Sequence, residues 1–198
     1  MVAVAGKIFE RLVMKDFDSR CLMALSYLLV VGVALLRLGV AHPFNVIPVF
    51  SCLLFFSATR PAREFVLPLS VLVGVDIFIT THRYGYPLTI DAVVTWAWYL
   101  IVMLLGSGVL RSSSARLRVA ACSLSASVSF FLVSNFAVWA AWQMYPRTLA
   151  GLWMCYVAAV PFFRNILTSE LCVSLLLFGL LNRARSHVEV NAIRIAHC

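Results

Sequence analysis

The sequence has few charged residues. Only 12% of its 198 residues are charged, and eight of those are acidic, while 63% are hydrophobic. Soluble domains are about half apolar and about a quarter charged. A core of this size cannot bury so much apolar surface, so the remainder must face lipid. The scarcity of charge therefore excludes an ordinary soluble domain and predicts a single membrane-embedded domain.

Motifs for several kinds of chemistry are also missing. HExxH, GxSxG and Walker motifs do not occur. The six cysteines form no CxxC pair and no Cys/His cluster with zinc spacing, so we interpret them as reduced, small apolar side chains. The net charge of +8 comes without an aromatic-basic recognition motif. We expect no ATP hydrolysis, no cofactor of its own and no nucleic-acid partner.

Long apolar segments alternate with short basic or polar turns. Transmembrane strands would alternate every second residue over about ten residues, whereas helices satisfy every backbone donor within lipid. We predict six transmembrane helices, at 21–40, 44–58, 65–81, 92–110, 119–144 and 165–181. They form a transmembrane domain over 21–182, with an amphipathic cytoplasmic segment over 1–20 and a polar cytoplasmic tail over 183–198. The mixed charges of the first twenty residues argue against a cleaved signal peptide.

The basic residues fall mainly on one side of this topology. Twelve of the sixteen lie at the N-terminus, in the turns at 60–63 and 111–118, and in the tail. The positive-inside rule then places both termini in the cytoplasm. We expect a multi-pass protein of a bacterial cytoplasmic (inner) membrane, with the lipid bilayer as its surroundings.

Four charged residues lie within or beside the predicted helices: Arg37, Asp76, Arg164 and Glu170. Charges in a membrane are costly, and they indicate either ion pairs that hold helices together or a polar binding cavity. Both interpretations remain open. Arg37, Asp76 and Arg164 fall in the outer half of the predicted membrane domain.

Aromatic residues are concentrated at the same outer end. Some of these aromatic residues form the usual interfacial belt. A pocket lined by aromatic rings with a few polar groups would also suit a bulky, mostly apolar ligand. We take as candidate ligand-binding residues Asn45, Asp76, Thr80, His82, Tyr84, Tyr86, Asn135, Trp139, Tyr156, Phe163, Arg164 and Asn165.

Several short segments carry a family resemblance. They are HPFNVIP at 42–48, DIF at 76–78 followed by His82, SNFAVW at 134–139, YP at 145–146, GL at 151–152, CY at 155–156 and PFFRN at 161–165. Over about residues 40–182 the chain resembles the DUF6580 family of small membrane proteins and, through it, the BtuM-like solitary S components. S components are the substrate-binding subunits of energy-coupling-factor (ECF) vitamin transporters. The resemblance implies an S-component-like six-helix bundle, an outward-facing pocket and uptake of cobalamin or a related corrinoid.

The resemblance also directs attention to one position. In BtuM-like proteins a cysteine after the third-helix aspartate is expected to ligate cobalt, whereas this chain has Thr80, Thr81 and His82, which makes the His82 imidazole the candidate axial ligand. The first helix lacks an Ala-xxx-Ala pattern for docking, which agrees with a protein that acts alone; use of an ECF coupling module is the alternative. We expect a transporter rather than an enzyme. The alternatives are an S-component-like transporter of another small molecule, an intramembrane enzyme using His82 and Asp76, and a structural subunit.

Overall fold

A computed structural model describes residues 2–39, 47–113 and 115–196, and every regular element in these ranges is helical. The six α-helices are α1 (Val2–Gly39), α2 (Val49–Thr59), α3 (Val66–Phe78), α4 (Ile90–Leu105), α5 (Arg116–Ala141) and α6 (Leu149–Ala196). A 3₁₀ turn at Ala62–Glu64 precedes α3, and π-helical turns at Ile79–Arg83 and Gly106–Leu110 extend α3 and α4. The predicted all-α class is confirmed for the described residues.

Five helical segments are long and apolar enough to cross a bilayer: Arg20–Gly39, Ala62–Arg83, Ile90–Leu110, Arg116–Ala141 and Leu149–Arg183. Their outward surfaces carry many exposed apolar side chains, such as Leu28, Val66 and Trp153. Water would not tolerate so large an apolar surface, but lipid does. The chain is therefore a multi-pass membrane protein.

Contacts between helix ends establish the direction of the first passes. The hydroxyl of Tyr27 in α1 donates to Glu64, just before α3, at 2.8 Å. At the opposite end, Arg83 after α3 donates to the carbonyl oxygen of Leu38 in α1 at 3.0 Å. Because α1 and α3 run in the same direction, the chain between them returns across the bundle, and α2 is the helical part of that return.

Helix α2 is short and central. Its 11 residues span about 16 Å, roughly half of the ~30 Å hydrocarbon core. All of its residues from Val49 to Ala58 are buried, and it contacts α1, α4, α5 and α6. A helix that is hydrophobic all round has to be enclosed by its neighbours, so α2 forms the axis around which the other helices pack.

Several helix limits differ from those predicted. Helix α2 begins at Val49, whereas 44 was predicted, and α6 continues to Ala196, through most of the predicted tail. Helix α1 is continuous from Val2 through the first span. Helix α5 ends at Ala141, whereas 144 was predicted. Helix α6 begins at Leu149 and continues through Pro161, whereas the last span was predicted only from 165. A proline removes one backbone hydrogen bond, but neighbouring helices allow transmembrane helices to continue through it. Here α5 packs along α6 and supports the proline-containing part.

The π-helical turn after α4 brings its backbone against α2. A Cβ atom at Gly106 would overlap the Ser57 hydroxyl and lie 3.0 Å from the carbonyl oxygen of Leu54. A Cβ at Gly108, two residues later, would meet no atom within 4 Å. The two glycines therefore have different roles, and only Gly106 is required for the close approach of α4 to α2.

We predict that Gly106→Ala lowers stability, since overpacking a close contact costs about 1–3 kcal/mol. Gly108→Ala is the matched control, because the added methyl group has free space. Thermal unfolding of the purified protein in detergent should show a lower midpoint for Gly106→Ala and an unchanged midpoint for Gly108→Ala. Equal midpoints for the two variants would contradict the packing described here.

Candidate functional site

Three helices build a polar centre at the end of the bundle opposite the basic turns, which is the outer end in the predicted topology. We call Arg37, Asp76, Trp96 and Tyr99 the Asp76 centre. Arg37 of α1 forms an ion pair with Oδ1 of Asp76 in α3. The hydroxyl of Tyr99 in α4 donates to Oδ2 of Asp76 at 3.0 Å and accepts a 3.0 Å hydrogen bond from Arg37 Nη1. Both charges are thus compensated within the protein, as burial requires.

Two N–H donors of the Asp76 centre have no acceptor among the described residues. They are Nε of Arg37 and Nε1 of Trp96, and both atoms are buried. The Trp96 indole lies beside the Asp76 carboxylate without reaching hydrogen-bond geometry. An unsatisfied buried donor costs about 1–3 kcal/mol, and native proteins leave few of them. The Asp76 centre therefore keeps two buried N–H donors without an acceptor among the described residues.

Exposed aromatic side chains lie at the same end of the bundle. We call Tyr84, Tyr86, Asp91 and Trp142 the outer aromatic cluster. Tyr84 stacks on Tyr86 with ring centroids 6.1 Å apart, and Tyr86 meets the edge of Trp142 at 5.6 Å. The Trp142 indole donates to Asp91 at 3.3 Å. Because both tyrosines are 56% exposed, this cluster presents flat aromatic surfaces to the outside.

His82 lies on the exposed side of the π-helical turn after α3. Its Nδ1 is 2.8 Å from the Thr81 hydroxyl, and its ring stacks on Phe78 at a centroid distance of 5.2 Å. Thr80, in the same turn, is half-buried, and its carbonyl oxygen accepts the Tyr86 N–H at 2.9 Å. Over the described ranges, no three His, Cys, Asp or Glu side chains are grouped to hold a metal ion. An axial cobalt contact needs only one imidazole, so the role of His82 stays a prediction.

The candidates on α5 and α6 contact each other rather than the Asp76 centre. Asn135 donates to the carbonyl oxygen of Phe131 at 2.8 Å, and Tyr156 donates to that of Leu132 at 2.6 Å. The ring of Phe163 lies 4.4 Å from that of Phe131, measured between centroids. The Tyr156 and Phe163 contacts join α6 to α5, whereas the Asn135 hydrogen bond lies within α5. Sequence inspection did not separate this structural role from ligand binding.

The remaining candidates are more scattered. Trp139 donates to the carbonyl oxygen of Pro146 at 3.0 Å, and Arg147 lies over its ring at 5.7 Å. Arg164 is exposed, and its side chain forms no ion pair within the described part of the chain. Asn165 is half-buried. Asn45 lies outside the described residues.

A second buried carboxylate, that of Glu170 in α6, lies at the start of α2. Its Oε1 accepts the N–H of Phe50 at 2.9 Å, and its Oε2 accepts the N–H of Ser51 at 2.6 Å and also the Ser51 hydroxyl. The residue preceding α2 is Pro48, which supplies no side-chain cap. Glu170 therefore caps α2 from a different helix, where a negative charge is favoured by the helix dipole.

The opposite end of the bundle is closed by an inner polar cluster of Tyr27, Arg60, Glu64 and Arg111. Arg60 forms a bidentate ion pair with Glu64, with nitrogen–oxygen distances of 2.6 and 2.7 Å. This hydrogen bonding raises the pKa of the Arg60 guanidinium. Arg111 donates to the carbonyl oxygen of Ser57 at 3.1 Å and to that of Arg60. These bonds satisfy the last carbonyl groups of α2 and join it to α3 and α4.

Four residues of the Asp76 centre and the outer aromatic cluster were not singled out from the sequence: Asp91, Trp96, Tyr99 and Trp142. Trp96 and Tyr99 are three residues apart and share one face of α4. Asp91 is the acidic residue in the first turn of α4. The helical spacing of the two aromatic residues was the available signal, but it lay within an apolar segment that also suits lipid contact.

Comparison with known proteins gives one family. The model for a "Family of unknown function (DUF6580)" matches residues 17–192. The matched range includes the Asp76 centre, the outer aromatic cluster and Glu170. No curated protein and no solved structure matches the chain.

We predict that Asp76→Asn is strongly destabilising, because it leaves Arg37 without its counter-ion. Removing one partner of a buried pair costs about 3–5 kcal/mol, and the 25% exposure of the Arg37 side chain favours the lower limit. The double variant Arg37→Gln with Asp76→Asn should recover part of the loss in thermal unfolding midpoint. Arg147→Gln, at an exposed arginine, is the control. The interpretation fails if Asp76→Asn unfolds at the wild-type temperature, or if the two single effects simply add.

Proposed function

The chain belongs to the DUF6580 family, and from this premise we propose that it is a substrate-binding membrane protein for uptake, of the S-component type. The ligand would lie at the outer end of the bundle, between the Asp76 centre and the outer aromatic cluster. We propose cobalamin or a related corrinoid as that ligand. The expectation comes from the family resemblance, which is most specific in the segments at 134–139 and 161–165.

The observation that carries the proposal is the pair of buried donors without an acceptor, Nε of Arg37 and Nε1 of Trp96. A corrinoid is a large flat ring bordered by amide groups. Its amide oxygens would accept from these two donors, and its face would pack against the exposed ring of Tyr86 and the half-buried ring of Trp142. Donors and aromatic surfaces at one end of a helix bundle form the combination that such a ligand requires.

The contrast between the two ends of the bundle supports an outward-facing site. At the inner end Arg60, Glu64 and Arg111 bond to one another and to the end of α2. At the outer end Tyr84, Tyr86 and His82 are exposed. A ligand would therefore enter from outside, while the inner side stays closed until the helices rearrange.

His82 lies in the π-helical turn at Ile79–Arg83, between the helix that carries Asp76 and the segment that carries Tyr84 and Tyr86. Such turns occur frequently at functional sites, because the extra residue redirects side chains. We propose that His82 acts as a lid residue or as an axial imidazole ligand of cobalt. We propose that uptake occurs either through the protein alone or together with an ECF coupling module.

A structural subunit is the second candidate function, and one observation favours it. Asp76 and Glu170, the two most deeply placed carboxylates, are both engaged in contacts between helices. An intramembrane enzyme is less well supported, because His82 bonds to Thr81 while Asp76 bonds to Arg37 and Tyr99. The candidate catalytic pair therefore makes no direct contact.

Spectroscopy on the purified protein tests the proposal. After incubation with hydroxocobalamin and size-exclusion chromatography in detergent, we expect the corrinoid absorption to elute with the protein. Trp96→Phe removes one donor but keeps an aromatic ring, and it should weaken binding about tenfold, which corresponds to about 1.4 kcal/mol.

Trp98→Phe is the matched control, because the Trp98 indole already donates to Ala126 at 3.4 Å, and it should bind as the wild type does. A colourless protein peak with no measurable affinity for hydroxocobalamin would remove the corrinoid proposal. Equal weakening by the two tryptophan variants would remove the assignment of the site. A bound spectrum unchanged in His82→Ala would exclude the axial-ligand role.

A further inference from the structure

Glu170 is buried far from either membrane surface. It is 1% exposed, and it lies thirteen residues before Arg183 in the same helix, which is about 20 Å along α6. Arg183 is exposed at the inner end, so Glu170 lies near the middle of the ~30 Å hydrocarbon core. An ionisable residue at this depth requires a functional explanation as well as a structural one.

Glu170 has no cationic partner among the described residues, unlike Asp76 and Glu64, which pair with Arg37 and Arg60. No Lys, Arg or His of α1, α4, α5 or α6 forms an ion pair with it there. On the adjoining helix α2, the titratable neighbour that interacts with it is the Cys52 thiol. A buried carboxylate without a counter-ion can become neutral only by taking up a proton.

Two opposing effects decide whether the Glu170 carboxylate binds a proton. Burial disfavours the charged carboxylate, whereas hydrogen bonds from the Phe50 and Ser51 N–H groups and the Ser51 hydroxyl favour it. A salt-bridged carboxylate would stay ionised, and a bare buried one would stay protonated. Glu170 has no counter-ion, but it does accept hydrogen bonds from Phe50 and Ser51. Both of its protonation states are therefore accessible. We propose that Glu170 is a reversible proton-binding site in the middle of the membrane, whatever ligand the outer end binds.

A chain of hydroxyl groups leads away from this carboxylate. Ser51, which donates to Glu170, accepts a 2.9 Å hydrogen bond from Ser174, and the Ser174 hydroxyl is 3.3 Å from that of Ser123. Ser174 and Ser123 are both fully buried. Each lies closer than Glu170 to the inner end of its helix, since α5 begins at Arg116 and α6 continues inward from Glu170. The chain therefore runs from mid-membrane toward the cytoplasmic side.

Hydroxyl groups both donate and accept, so this chain can pass a proton. A hydronium ion gives its proton to Ser123 and leaves as water, while Ser123 turns its own O–H bond toward Ser174 and passes that proton on. Ser174 then transfers its proton to Ser51, and the transfer from Ser51 forms the O–H bond on Glu170. The reverse sequence returns the proton. Protonated Glu170 has less acceptor capacity, so the first turn of α2 loses part of its cap. Proton uptake would thus loosen the outer end of the central helix.

Infrared spectroscopy of the full chain in lipid vesicles tests this directly. We expect the carbonyl band of a protonated carboxyl group to appear, as the pH falls, while the pH is still above about 5, a range where ordinary exposed carboxylates remain ionised. The band should be lost in Glu170→Gln and kept in Glu64→Gln, the control at the half-buried ion pair of the inner polar cluster. A band that persists in Glu170→Gln, or no titration in this range, would overturn the proposal.

A second variant keeps the test decisive if Glu170→Gln does not fold. Ser51→Ala removes a hydroxyl that stabilises the ionised carboxylate and interrupts the hydroxyl chain, and it leaves Glu170 in place. The midpoint of the band should then move to higher pH. Ser125→Ala, an exposed serine of α5, should leave the midpoint unchanged. Identical midpoints in Ser51→Ala and the wild type would contradict the role of Glu170.

Discussion

A helix that begins inside a bilayer exposes N–H groups that water cannot reach. Helix α2 begins at Val49, about halfway through the hydrocarbon core, after a proline that offers no cap. The Glu170 carboxylate solves this problem by accepting the N–H groups of Phe50 and Ser51. Much of the architecture depends on that contact, since α6 must pack beside α2 at this depth and the other helices must enclose both.

The same requirement explains how the polar residues are distributed. In a low dielectric each charge needs either an opposite charge or several hydrogen bonds, and the described ion pairs all join different segments of the bundle or the ends of its helices. Arg37 and Asp76 connect α1 with α3, and Arg60 and Glu64 connect the end of α2 with the turn before α3. The two ends of the bundle therefore differ. At the inner end the polar groups bond to one another, whereas at the outer end two N–H donors, of Arg37 and Trp96, have no acceptor among the described residues. A binding role and a structural role for Asp76 are therefore compatible.

Hydropathy was sufficient to predict the helical class and the approximate positions of the membrane segments. A long apolar segment in lipid satisfies its own backbone hydrogen bonds as a helix, so hydropathy alone predicted the helices without the 3.6-residue periodicity. The exact limits were harder to predict. Pro161 resembles a helix stop in sequence, yet α6 continues through it because α5 packs alongside. The start of α2 at Val49 depends on Glu170, a residue more than a hundred positions later, and no local pattern contains that information.

The candidate site was predictable only in part. The cost of membrane charges directed attention to Arg37, Asp76 and Glu170, and the first two indeed pair with each other. Tyr99 and Trp96 were hidden within an apolar segment, because a buried hydrogen-bonding tyrosine and a lipid-facing one look alike in a single sequence. Conversely, Asn135, Tyr156 and Phe163 were plausible ligand contacts by composition, but they bond or pack within the α5–α6 pair.

The central claim is that the outer end of this bundle receives a ligand rather than merely holding helices together. An experimental structure of the protein in lipid nanodiscs with cobalamin present tests it most directly. The account predicts density for the corrin ring against Tyr86 and Trp142, with amide oxygens on Nε of Arg37 and Nε1 of Trp96. An outer end without ligand density, in which both donors bond to the protein's own residues, would contradict it.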